Sequence, residues 1–134
     1  MRLAIVGLAA VHLMVSAWHG GAHNDLMVEL SPAQNLFVYV VVLLAPLVAA
    51  SLTWTRYSVA GVWLFTGSMI ASLIFGVYYH YVLVSPDNVG HLPAADAAIQ
   101  SRFALSAACL AVVESVAAIA GVFFCRSQLR GHRA

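Results

Sequence analysis

Charge is what this sequence lacks. Only 8% of its 134 residues are Asp, Glu, Lys or Arg, against about 25% in an ordinary soluble domain. So little charge cannot keep a soluble domain dispersed, and a net charge of +1 offers nucleic acid no electrostatic footprint. Cysteine is nearly missing as well. Cys109 and Cys125 stand sixteen residues apart on one apolar stretch, about 24 Å along a helix, too far to bond to each other. They read as small buried hydrophobes. There is no c-type haem attachment sequence, no Glu-x-x-His pair of the di-iron bundles, and no internal repeat or linker.

What is present in excess is apolar length. The chain is 63% hydrophobic with a mean hydropathy of +0.92, and the apolar residues arrive in four blocks. A helix needs roughly 20 residues to cross about 30 Å of hydrocarbon. The blocks predict spans at about 3–20, 33–54, 58–84 and 97–126. The first resembles a signal peptide, with Arg2 before an apolar stretch and small residues at Ser16-Ala17. A histidine inside such a region is unusual, so the block reads as a retained span. Ser31-Pro32-Ala33-Gln34 predicts a capped helix start, and Ser85-Pro86-Asp87-Asn88 predicts a turn that ends the third span. Asp96 can cap the fourth helix. Pro46 predicts a kink in the second span that frees the Val42 carbonyl.

The fold class that follows is an all-α integral membrane protein, one domain over residues 1–134, built as an antiparallel four-transmembrane-helix bundle. Arg2, Arg56, Arg126, Arg130 and Arg133 fall on one side of four such spans, which places both termini in the cytoplasm. Arg102 is the exception, and Asp25, Glu29, Asp87 and Asp96 lie in the two outer loops as solvated charges and caps. Trp54, Tyr57 and Trp63 suit the inner interface; Trp18, Tyr78, Tyr79 and Tyr81 suit the outer one. The expected setting is a bacterial or archaeal cytoplasmic membrane.

This threading sends His12, His19, His23, His80 and His91 toward the outer side. His12 precedes His19 by seven residues, so it shares that face about 10 Å deeper. Gly20-Gly21 are expected to fold the chain back over the bundle mouth and carry His23 with it. Ser68, Ser72, Gly76 and His80 recur every four residues, a small-residue stripe that points His80 inward. On the fourth span, Ala107, Ala111, Glu114, Ala118 and Gly121 make a similar seam interrupted by one carboxylate. An ionisable group at that depth costs at least ~2.5–3.5 kcal/mol. With no Arg or Lys in the membrane to pair with Glu114, a histidine, a metal or a proton is its expected partner.

Imidazoles and a carboxylate converging from separate helices are the ligand types of zinc, copper and iron sites. The sequence therefore points to a transition-metal pocket opening outward and capable of redox chemistry. Its ligands are His12, His19 and His80 inside, His23 and His91 at the entrance, and Glu114 as deeper ligand or proton acceptor. Met14 and Met27 lie near enough to interest Cu(I), although packing is their ordinary use, as it is for Met69. A second reading has His12 or His19 opposite His80 clamping a haem b, with Gly76 giving clearance. A third is a structural subunit without a cofactor, in a homo-oligomer or larger membrane complex. The outline of four spans with buried histidines is similar to small b-type cytochromes and to metal-handling membrane proteins, a likeness of architecture and not of motif.

Overall fold

In a computed structural model describing residues 1–131, the chain forms four long helices and, among the described residues, no strand. They are α1 (Arg2–Leu26), α2 (Pro32–Leu52), α3 (Ser58–Val82) and α4 (Ala97–Gly131), and each is long and apolar enough to cross a membrane. Arg133, one of the arginines used to orient the spans, lies outside the described residues.

The first helix departs from expectation. It does not break at Gly20-Gly21 but continues to Leu26, where Met27 ends it in the left-handed region at φ 52°. The glycine pair does not fold His23 over the mouth; it leaves His23 on the helix. The physical reason is the solvent. In hydrocarbon no water competes for a backbone N–H or C=O, so glycine loses most of its power to interrupt a helix. The left-handed turn is closed by the Met27 and Val28 amides, which donate to the Asn24 and His23 carbonyls.

The start of α2 follows its sequence. The Ser31 hydroxyl accepts from the Gln34 amide and the Gln34 side chain accepts from the Ser31 amide, with Pro32 in the first turn. Pro46 acts over a longer stretch than a local kink would. Residues Val38–Leu44 form a π-helix immediately before it, and the Ala45 amide reaches back five residues to Val40. Proline removes a donor, and the wider turn spreads that defect over the preceding residues. A second π segment, Tyr78–Val82, ends α3.

Small residues set how the helices meet. A methyl group at Gly61 of α3 would stand 2.8 Å from the Ala49 carbonyl oxygen of α2, and one at Gly121 of α4 would strike Thr66 of α3. Ile5, Ala9, Ala49, Val62, Phe65, Met69, Ala117 and Cys125 fill the interior between these close approaches. Residues such as Leu3, Leu36, Ile74, Val112 and Phe123 stay exposed on the outside, an apolar belt that water would not tolerate and lipid would. The Arg2 guanidinium lies over the Trp54 ring at 5.8 Å, so the start of α1 and the α2–α3 turn share one end of the molecule. The histidine cluster is at the other.

Candidate metal centre

Three imidazoles converge where α1, α3 and the loop after α3 meet. One ring nitrogen from each of His19, His23 and His80 lies within 4.8 Å of the others, a group of the size that holds a metal ion. His19 and His23 are both on α1 because the helix survives its glycines, four residues apart and therefore on one face. His80 arrives from α3 at the end of the stripe Ser68, Ser72 and Gly76, whose two serines are buried. Phe103 of α4 packs against all three rings, with centroids at 4.9, 5.0 and 5.6 Å.

The loop after α3 completes the arrangement. The Val89 amide donates to the His80 carbonyl and the Asn88 side chain to the Leu83 carbonyl, so the turn Ser85–Asn88 folds back over His80. That fold carries Asp87 inward. Its carboxylate, expected to be a solvated loop charge, is buried at 5% exposure and lies 3.3 Å from both His23 Nε2 and His80 Nδ1.

The hydrogen bonds assign two of the tautomers. His80 Nδ1 donates to the Asp87 carbonyl at 3.0 Å, and His23 Nδ1 donates to the Val28 carbonyl at 3.3 Å. The Ser106 hydroxyl is within reach of both the Phe103 carbonyl and His19 Nδ1, 2.9 Å from each, so it either donates to the ring or accepts from it. The two Nδ1 donors leave Nε2 of His80 and of His23 with a lone pair. His19 Nε2 and His80 Nε2 stand 3.1 Å apart, and His23 Nε2 lies 3.3 Å from a carboxylate oxygen. A proton on His19 Nε2 joins the first pair as an ordinary hydrogen bond; with Ser106 accepting instead, the two lone pairs converge as metal ligands do.

The remaining predicted residues sit elsewhere. His12 and Glu114 form their own buried pair, Nε2 to Oε1 at 3.2 Å, with exposures of 0% and 2%. They are a tier deeper than the triad because His12 is two helical turns from His19. His91 is exposed and hydrogen-bonds Asn88, apart from the triad. Met14 and Met27 are 64% and 86% exposed, whereas Met69 is fully buried in the core; Met27 lines the outer end of the cavity beside the rings. Cys109 and Cys125 are free. Arg102 pairs with Asp25 and donates to the Gly21 carbonyl at 3.1 Å, tying α4 to α1 beside the cluster.

Removing either member of the deep pair has a readable cost. Glu114→Ala leaves His12 buried without its partner, which should destabilise the protein by about 1–3 kcal/mol. Glu114→Gln keeps an acceptor for His12 and should cost less. Equilibrium unfolding in detergent distinguishes the two variants.

Sequence reasoning missed Asp87, Ser106 and Phe103 as neighbours of the cluster. Ser106 and Phe103 had a faint signal. They lie eight and eleven residues before Glu114, within reach of the inward face of α4. Asp87 had a slight one, its place among the acidic residues clustered around the histidines, although a turn carboxylate is ordinarily solvated. No protein family, curated protein or solved structure matches this chain.

Proposed function

We propose that the protein binds one transition-metal ion in the membrane through Nε2 of His19, His23 and His80, near the face opposite its cytoplasmic termini. The observation that carries this reading is the convergence of three imidazole nitrogens within 4.8 Å of one another, with His19 Nε2 and His80 Nε2 3.1 Å apart. A tetrahedral ion with metal–nitrogen bonds of about 2.0–2.1 Å holds its ligand nitrogens about 3.3 Å apart. The pair is already close to that spacing, and His23, whose nitrogen lies within 4.8 Å of both, would draw in to join it. Bis-imidazole haem ligation needs roughly 4 Å between nitrogens, two metal–nitrogen bonds end to end, with a flat slot between the rings. Here the two imidazoles touch directly, edge to face at 79°. The donor set fits a bare ion.

Three neutral imidazoles without a thiolate favour zinc or copper in its divalent state. Three protein ligands leave a fourth position open to water or substrate, the pattern of reactive rather than purely structural sites. The supports are in place for such a role. With Ser106 accepting, its hydroxyl, the Asp87 carbonyl and the Val28 carbonyl each hold one Nδ1–H and so fix the direction of the opposite lone pair. Glu114, which shares the space at Gly76 with the His80 ring, would serve as a proton acceptor beside the ion.

Elemental analysis with an absorption spectrum of detergent-purified protein tests the proposal, in wild type and in alanine variants of His19, His23 and His80. One equivalent of zinc or copper, lost in each variant, supports it. Unchanged metal content in all three sinks it, and a Soret band would replace it with the haem reading. Ser106→Ala is a finer probe. It removes only the partner of His19 Nδ1 and should weaken metal binding about 10–100-fold without abolishing it. Competition against a chromophoric chelator measures that difference.

A further inference from the structure

The cavity beside the triad is far larger than an ion requires, about 1030 Å³. Its back wall is α3 and α4, and its sides are α1 and α2. Helix α1 packs against the Ala45–Leu52 half of α2, which closes one end, while the exposed Asn24, Met27 and Glu29 line the other. Between those ends the two helices part. The lips there are Ala17 and Gly20 on α1 and Tyr39 and Leu47 on α2, all exposed and all within the spanning stretches. The mouth therefore faces the hydrocarbon layer along α1 and α2 and continues to the loop after α1.

The interior is divided in chemistry. The α2 side is apolar from Val42 to Leu47, with Asn35 and Tyr39 toward its outer end, while the back wall is polar at two heights. The lower height holds Glu114 and Ser72, both 2% exposed, and the Ser72 hydroxyl oxygen finds no hydrogen-bond partner among the described residues. The upper height is the imidazole cluster: His80 is eight residues, two turns or about 12 Å of rise, above Ser72, with Gly76 between Glu114 and the His80 ring. No Lys or Arg lines the cavity among the described residues, so an anionic head group would meet carboxylates without a counter-charge. Phe75, its ring stacked on Phe37 at 4.5 Å, also lines the cavity, and glycine at position 76 leaves the space before Glu114 open.

The geometry points to a binding site for a membrane-soluble quinone or quinol. It enters between α1 and α2 with its planar head against Phe75 and its two oxygens toward the Ser72–Glu114 and histidine levels. The tail leaves through the mouth along Leu47. An uncharged ring with oxygens on opposite edges is the head group that satisfies both heights, and a single flexible tail suits a lateral mouth. The site stands beside the proposed ion and does not require it.

The test is a titration of detergent-purified full-length protein with a benzoquinone bearing one isoprenoid unit, followed by tryptophan fluorescence and calorimetry. Metal content is assayed on the same samples, with and without chelator. A first methyl at position 76 would lie 3.7 Å from Glu114 Oε2 and 3.9 Å from His80, so the added branches of Gly76→Leu must occupy the cavity. The expected result is saturable one-to-one binding, weakened at least tenfold by Gly76→Leu and by Leu47→Trp at the exposed lip. Ser72→Ala should weaken it by a smaller factor. Non-saturable uptake overturns the proposal, as does full affinity in both blocking variants. Equal competition by decanol or phosphatidylglycerol also overturns it and makes the cavity an ordinary lipid groove. Quinone binding without any metal leaves this site intact and sinks only the ion.

Discussion

Replacing His80 with alanine is expected to abolish binding of the proposed ion. The residue has two roles in one ring. Its Nε2 stands 3.1 Å from that of His19 as half of the closest candidate ligand pair, and its Nδ1 holds the Asp87 carbonyl. The substitution therefore removes a ligand and releases the turn that brings Asp87 inward. Loss of a supporting hydrogen bond at a metal site costs about 10–100-fold in affinity, and loss of a ligand together with that support should exceed this range. The effect also reads out in stability. An ion present at a thousand times its dissociation constant stabilises the folded state by about 4.1 kcal/mol, and the variant should show no metal-dependent rise in melting temperature. His91→Ala, which alters an exposed ring bonded to Asn88, should keep both metal and thermal shift. An H80A protein that still binds one ion with wild-type affinity would remove the triad from consideration.

The second large effect is on packing. Gly61→Ala should destabilise the protein by about 1–3 kcal/mol, the usual cost of forcing atoms into a filled interior. The added methyl would meet the Ala49 carbonyl oxygen at 2.8 Å and the Thr53 amide nitrogen at 3.0 Å. Both are backbone atoms of α2 and its end, which cannot rotate away as a side chain can. The comparison is Gly67→Ala on the same helix, where no atom lies within 4 Å. That change should be neutral or stabilising by up to about 1 kcal/mol, because alanine favours the helix. Unfolding in mixed micelles measures both. Equal stability of the two variants would mean that α2 and α3 do not approach through Gly61.

These effects trace back unequally to the sequence. The four spans were legible because apolar blocks of that length have few alternatives, and the capping box at Ser31 because it is purely local. His80 was legible through the stripe of small residues before it, and Glu114 through the cost of its depth. The His12–Glu114 contact followed from the same reasoning, since no other cation was available. His23 was misread because a glycine pair was judged by its behaviour in water. The burial of Asp87 was invisible because it depends on a loop folding back by non-local hydrogen bonds. The parting of α1 and α2 was invisible too, since a face left without a partner resembles any other lipid-facing surface.

The short π segment Tyr78–Val82 has one further consequence. Residues spaced by four on an α-helix advance about 40° beyond a full turn at each step, so a stripe of fours slowly winds off its face like the thread of a screw. Ser68, Ser72 and Gly76 have already spent two such steps when the helix widens its turn. The widening slows the rotation just as His80 arrives and holds its ring toward α1. The aim of this imidazole is thus a matter of phase. Deleting a single residue between Gly76 and His80 would do more than shorten α3 by about 1.5 Å. It would turn the ring by roughly a quarter of a revolution, leaving every ligand in the chain and no site.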